Sequence, residues 1–168
     1  DCNPEAKDRV AWQVVKALEV ETFYLFKATS KGMSTCMYMK VNETKNNTGT
    51  LLATTGYGRS EEATTVVGVG NRLQVGSEEY AALPVLYTDN STCSVFTSPD
   101  ENGGVLLWVA GSTGANATFH QCCKKVFKME AKKANHTIYH KFSKACLKPP
   151  RSRLTECFLS DVIPVDLV

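Results

Sequence analysis

After Glu21 the spacing of apolar residues shifts from three or four positions towards two, and β-rich runs follow one another as far as Ala110. Eight β-rich runs fill the interval: "TFYLFKAT", "TCMYMKV", "TLLATTGY", "EATTVVGV", "RLQVG", "YAALPVLYT", "CSVFTS" and "VLLWVA". Valine, threonine and aromatic residues dominate them, with "NNTG", "GRSEE", "GNR", "GSEE", "TDNST" and "DENGG" as turn signals between. Eight strands so regularly spaced are expected to form an all-β antiparallel meander that closes on itself, because closure removes the exposed edges of an open sheet. Such a barrel has an interior just wide enough for packed side chains or one small ligand.

Helical spacing flanks the strands on both sides. In "NPEAKDRVAWQVVKALEV", Pro4 suits a first turn, Glu5 and Asp8 sit at the positive end, and Val10, Val14 and Leu18 recur every fourth position. The later segment "TFHQCCKKVFKMEAKKANHT" offers Phe119, Val126, Phe127 and Ala134 as a buried stripe, and Pro149 and Pro150 interrupt regular structure further along. At 168 residues the chain is expected to be one domain over 1–168. Its parts are a helix over 1–20, a barrel over 22–110, a helix and adjoining segment over 117–146 packed outside, and an apolar tail over 147–168 that could add a strand. A helix across one mouth leaves the other for access, so ligand capture is implied by the geometry alone.

Compartment comes from sugar acceptors and cysteines. Nine Asn with Ser and Thr at 28 of 168 positions would give about one or two Asn-x-Ser/Thr sequons by chance. Five occur, at Asn42, Asn46, Asn90, Asn116 and Asn135, each at an expected turn or helix end. Seven cysteines beside them indicate an oxidising compartment and disulfides. The start at Asp1 with no apolar leader reads as a mature chain after signal removal, and no run of about 18 apolar residues could cross a bilayer. A secreted glycoprotein is expected. A net charge of +2 argues for neither nucleic acid nor a membrane surface as partner. Lys124, Lys125, Lys128, Lys132 and Lys133 read as a solvated helix face.

Signatures of chemistry are weak. His136 and His140 have the spacing of two helix-borne metal ligands, but a glycan on Asn135 would crowd them and no zinc-protease Glu is near. "HQCC" (His120, Cys122, Cys123) reads as two disulfide halves rather than a metal corner, and "GVGN" (68–71) lacks the third glycine of a nucleotide loop. No catalytic residues, metal or cofactor are expected. Six paired cysteines allow fifteen connectivities, and spacing alone does not choose among them.

Several stretches together carry a family resemblance. "VAWQVVKALEVETFYLFKATSK" is similar to the first helix and strand A of tick salivary lipocalins of the histamine-binding and soft-tick mediator-binding kind. "YTDNSTCSV" resembles their "Y-[ST]-D-[DN]…C-D-[VIL]" strand, "LLW" (106–108) their "E-L-[WY]" strand, and "CCKK" the soft-tick subgroup. The likeness covers most of residues 2–146. It implies a lipocalin barrel and the disulfides Cys2–Cys122, Cys36–Cys146 and Cys93–Cys123. Cys157 is left as a free thiol or an intermolecular bridge, so a monomer is expected with a dimer open through Cys157. The resemblance implies capture of a small host mediator without turnover, and antigenicity in bitten hosts.

Two departures bear on cargo. The family's amine motif has Asp after the cysteine and Glu before Leu-Trp, where this chain has Ser94 and Leu106. An ammonium entering a barrel loses its water and needs a carboxylate, with aromatic faces adding about 0.5–2 kcal/mol each. The candidate amine anchor is Asp89, which matches the family's acidic position, with Glu19, Glu21, Glu61, Glu78 and Glu79 as further acids. Tyr24, Tyr38, Phe96 and Trp108 are the expected aromatic walls, with Leu106 beside them. A biogenic amine, histamine before serotonin, stands ahead on the family's usual cargo. A leukotriene or other fatty acid comes second, favoured by Ser94 and Leu106, with Arg59, Arg72 or Lys40 for its carboxylate. A protein-binding immune modulator, such as a complement inhibitor, is the reading from another class.

Overall fold

The structure is a computed structural model that describes residues 1–43, 50–77, 82–98 and 104–148. The strands are β1 (Phe23–Ala28), β2 (Tyr38–Glu43), β3 (Leu51–Tyr57), β4 (Ser60–Val69), β5 (Arg72–Val75), β6 (Ala82–Thr88), β7 (Cys93–Thr97) and β8 (Val105–Ala110). Each pairs antiparallel with the next, β8 pairs with β1, and β1 pairs with β2, so the sheet closes. Each strand overlaps one of the β-rich runs of the sequence, β2 extending two residues past its run to Glu43. A two-residue strand β9 (Tyr139–His140), absent from the sequence expectation, pairs with the far half of β1, where β2 has diverged.

The N-terminal helix is shorter than its periodicity suggests. A 3₁₀ turn covers Ala6–Arg9, Val10 is extended at φ −82° and ψ 108°, and α1 runs over Ala11–Val20. Ala11 N–H goes to Gly70 O (2.9 Å), so the helix starts on the β4–β5 turn and not on the preceding residues. Its close seat needs Gly68, where a Cβ would lie 2.6 Å from Trp12 N. Val14, Val15 and Leu18 are buried on the barrel's inner side. Burying three such side chains contributes roughly 5–9 kcal/mol, which holds the plug in its mouth.

The short helix α2 (Gly111–Gly114) leads to α3 (Gln121–Lys133), again shorter than the helical pattern of the sequence. His120 Nδ1 accepts the Cys122 N–H (3.1 Å) and caps the start, while left-handed Asn135 (φ 55°) stands just past the end. Phe119, Val126, Phe127 and Ala131 pack on the outer face of β6–β8 with Tyr87, Val95, Val105, Leu107 and Val109. Ala134, expected in this stripe, is only partly buried and stands past the helix end.

Three disulfides, Cys2–Cys122, Cys36–Cys146 and Cys93–Cys123, join the pairs that the family resemblance implies. The first two close loops of 120 and 110 residues, which by chain entropy stabilise by about 4–5 kcal/mol each. The expected tail strand, Cys157, Asn46, Glu78 and Glu79 lie outside the described residues. No helix among those described is long and apolar enough to cross a membrane.

Candidate functional site

Strand parity divides the barrel into an inner and an outer shell. Phe23, Leu25, Met39, Leu51, Ala53, Val66, Leu73, Leu83, Val85, Phe96, Leu106 and Trp108 belong to the inner cluster with α1. At its centre Val14, Leu18, Phe23, Met39, Leu73, Leu83, Phe96 and Trp108 surround a free volume of about 10 Å³. That is room for one water molecule at most. In this state the lumen is therefore filled, and Val14 and Leu18 of α1 do much of the filling. A guest has to take their place.

The lumen wall is apolar with few polar atoms. Trp108 Nε1 is buried and has no hydrogen-bond partner among the described residues; Ser98 Oγ is in the same condition. Ser94, cross-strand from Trp108, is fully buried, and its hydroxyl donates to Thr88 Oγ1 (3.0 Å). Leu106 stands cross-strand from Phe96. Ser94 and Leu106 thus hold the inner-wall positions of the two acids in the amine motif, and neither can neutralise a cation. The register puts one acid on the inner face of β4, Glu62 opposite Thr55, but at the exposed rim.

Of the residues singled out from the sequence, Phe96 and Trp108 line the lumen and Leu106 lies on its wall. Tyr24 and Tyr38 do not. The parity that points Phe23 and Met39 inward turns both tyrosines to the outer face, so the expected inner walls are corrected here. Their rings are 6.2 Å apart, and Tyr24 packs on Phe142 at 5.5 Å. Together with Thr22, Lys40, Glu61 and the Cys36–Cys146 bridge they line an outer cavity of about 170 Å³. Tyr38 donates to Glu61 Oε1 (2.5 Å). Burial first, then that hydrogen bond, pushes the Tyr38 phenol well above the usual tyrosine range.

Asp89 is committed elsewhere. Its Oδ1 accepts the N–H groups of Ser91 (3.0 Å), Thr92 (2.7 Å) and Cys93 (3.0 Å), and Oδ2 accepts the Thr92 hydroxyl. It is the staple of the β6–β7 turn, an Asx-type arrangement, and not a lumen anchor. Glu21 is likewise engaged, accepting from Ser112 N (3.0 Å) and Ser112 Oγ (2.7 Å). Glu19, Arg59 and Arg72 are exposed. Asn42, Asn90, Asn116 and Asn135 are all exposed. Among the described residues no three His, Cys, Asp or Glu side chains gather as a metal site.

Comparison with known proteins agrees with this geometry. Residues 70–148 match the family model described as tick histamine binding protein. The serotonin complex of AM182 superposes with a TM-score of 0.71 at 24% identity, covering 88% of this chain and 98% of that one. Japanin from Rhipicephalus appendiculatus bound to cholesterol gives a TM-score of 0.51 at 12% identity, covering 67% of this chain and 87% of that chain. The siderocalin Ex-FABP gives 0.50 at 14% identity over 73% of this chain and 89% of that chain. Closed barrel and plugging helix together give the chain the lipocalin fold, and its residues 70–148 are similar to the tick histamine-binding protein family.

Proposed function

We propose that the protein is a secreted scavenger that takes a small host mediator into its barrel and holds it stoichiometrically, without turnover. The ligand class best supported is a largely apolar molecule with a hydrogen-bond acceptor, such as an eicosanoid or another fatty acid. One observation carries this: Trp108 Nε1 is a buried donor with no partner among the described residues, in a lumen otherwise walled by hydrocarbon. Leaving such a group unsatisfied costs about 1–3 kcal/mol, and a guest carbonyl, hydroxyl or carboxylate would recover it. A guest ammonium would add a donor to a donor and meet Ser94 and Leu106 where carboxylates are needed. The exposed sequons and the disulfides fit an extracellular glycoprotein.

A biogenic amine is the second reading. It is favoured by the family match, by the serotonin bound to AM182, and by Glu62 at the rim. Calorimetric titration of the full chain with leukotriene, arachidonate, histamine and serotonin separates the two. Saturable lipid binding that weakens in Trp108→Phe supports the first reading. Amine binding that is lost in Glu62→Gln, with no lipid heat, replaces it with the second.

A further inference from the structure

Charge is unevenly divided along the chain. Residues 1–103 carry nine Lys and Arg against thirteen acids, whereas 104–148 carry eight Lys against one acid, Glu130. The net charge of +2 therefore conceals a strongly basic part. On α3, Lys124, Lys125, Lys128, Lys132 and Lys133 are all exposed. Lys124, Lys128 and Lys132 recur every fourth position on one side of the helix, about 6 Å apart along its axis. Lys133 pairs with Glu130 (3.0 Å), and Lys124 donates to Ala117 O (3.0 Å). Lys27, Lys125, Lys128 and Lys132 make no ion pair among the described residues.

Beside this stripe lies a cavity of about 270 Å³. Lys27 of β1 stands cross-strand from Leu107 of β8 on one flank and from His140 of β9 on the other. Leu25 and Ala28 both belong to the inner cluster, so the bulge between Leu25 and Lys27 is what turns Lys27 outward. Leu107, Phe127 and Ile138 make an apolar floor, and Lys27, Lys124, Lys128 and His140 make a rim of donors. We propose that this face is a docking surface for a sulfated polysaccharide, with one sugar ring over the floor and its sulfates on the rim and the α3 stripe. Ammonium groups gathered with no acid between them repel one another and offer a polyanion several charge-assisted hydrogen bonds at once. A bilayer asks for apolar side chains that project into it, and α3 exposes Met129 alone among its large ones. A nucleic acid asks for rings on which bases stack, whereas Phe119 and Phe127 are buried. The surface shares no residue with the lumen, so it stands whatever the lumen carries.

Heparin is the probe, titrated calorimetrically into the full chain at physiological salt, with desulfated heparin, a DNA duplex and mixed phosphatidylserine–phosphatidylcholine vesicles alongside. Heparin is expected to bind, and more weakly as salt rises. Lys27→Gln and Lys128→Gln should each lose roughly two- to fivefold in affinity, and the double variant more. Lys16→Gln, an exposed lysine of α1, should change nothing. Circular dichroism on each variant confirms the fold. No heparin heat, equal binding of the desulfated chain, or an equal loss in Lys16→Gln overturns the surface. Tighter binding to the duplex or the vesicles overturns it in favour of that partner.

Discussion

Replacing Leu18 by Ala tests whether α1 is the gate of the lumen. Leu18 is 3% exposed and borders the 10 Å³ void beside Val14, Phe96 and Trp108. Large-to-small changes at such sites cost about 2.7–5.0 kcal/mol, of which transfer of the lost atoms accounts for roughly 2 and the vacated space for the rest. A destabilisation of about 3 kcal/mol lowers the melting temperature by roughly 6–12 °C for a chain of this size. The vacated-space part, about 1 kcal/mol, is recoverable by any guest that fills the hole, which corresponds to about fivefold tighter binding. Stability and affinity should therefore move in opposite directions. Differential scanning calorimetry with and without arachidonate reads both, because bound ligand raises the melting point more in Leu18→Ala than in the native chain. Lower stability together with unchanged or weaker lipid binding would refute the idea that guest and Leu18 compete for one space.

Other expectations rest on particular contacts. Trp108→Phe should weaken lipid binding by roughly two- to tenfold through one lost hydrogen bond, yet cost the unliganded protein less stability than Leu18→Ala, because removal of a buried donor without a partner among the described residues offsets the lost ring volume. Titration and thermal melts on the same sample check both. Asp89→Ala removes the acceptor for three turn N–H groups, so a loss of about 1–3 kcal/mol is expected with amine affinity unchanged; an equal loss of amine affinity would restore Asp89 as an anchor. The raised Tyr38 pKa has a definite sign: its contribution to stability is complete below pH about 10, where the unfolded phenol titrates, and is lost as pH rises above that. Melting temperatures between pH 8 and 11 should fall less steeply in Tyr38→Phe, and an identical slope would contradict the assignment.

The strands were legible because alternation and turn residues are local. "TLLATTGY" and "EATTVVGV" match β3 and β4 to within a residue or two, since β-branched side chains and the Gly-Arg turn act within a few positions. The Asp89 turn is equally local, an acid followed by Asn, Ser and Thr whose carboxylate accepts the N–H groups of the residues just after it. The inner and outer faces were not legible in the same way. "VLLWVA" is apolar at every position because β8 is covered on one side by α1 and the inner cluster and on the other by α3.

On the sequence alone, then, rested the order of elements, the closed sheet and the apolar helix that meets it. The tertiary structure decided what lies within. Which way Tyr24 and Tyr38 point depends on register with partners on neighbouring strands, and β1 breaks its own parity with a bulge between Leu25 and Lys27. How full the lumen is depends on side-chain volumes brought together from α1 and strands far apart in the chain. These are sums over long-range neighbours, and periodicity along one segment carries no record of them.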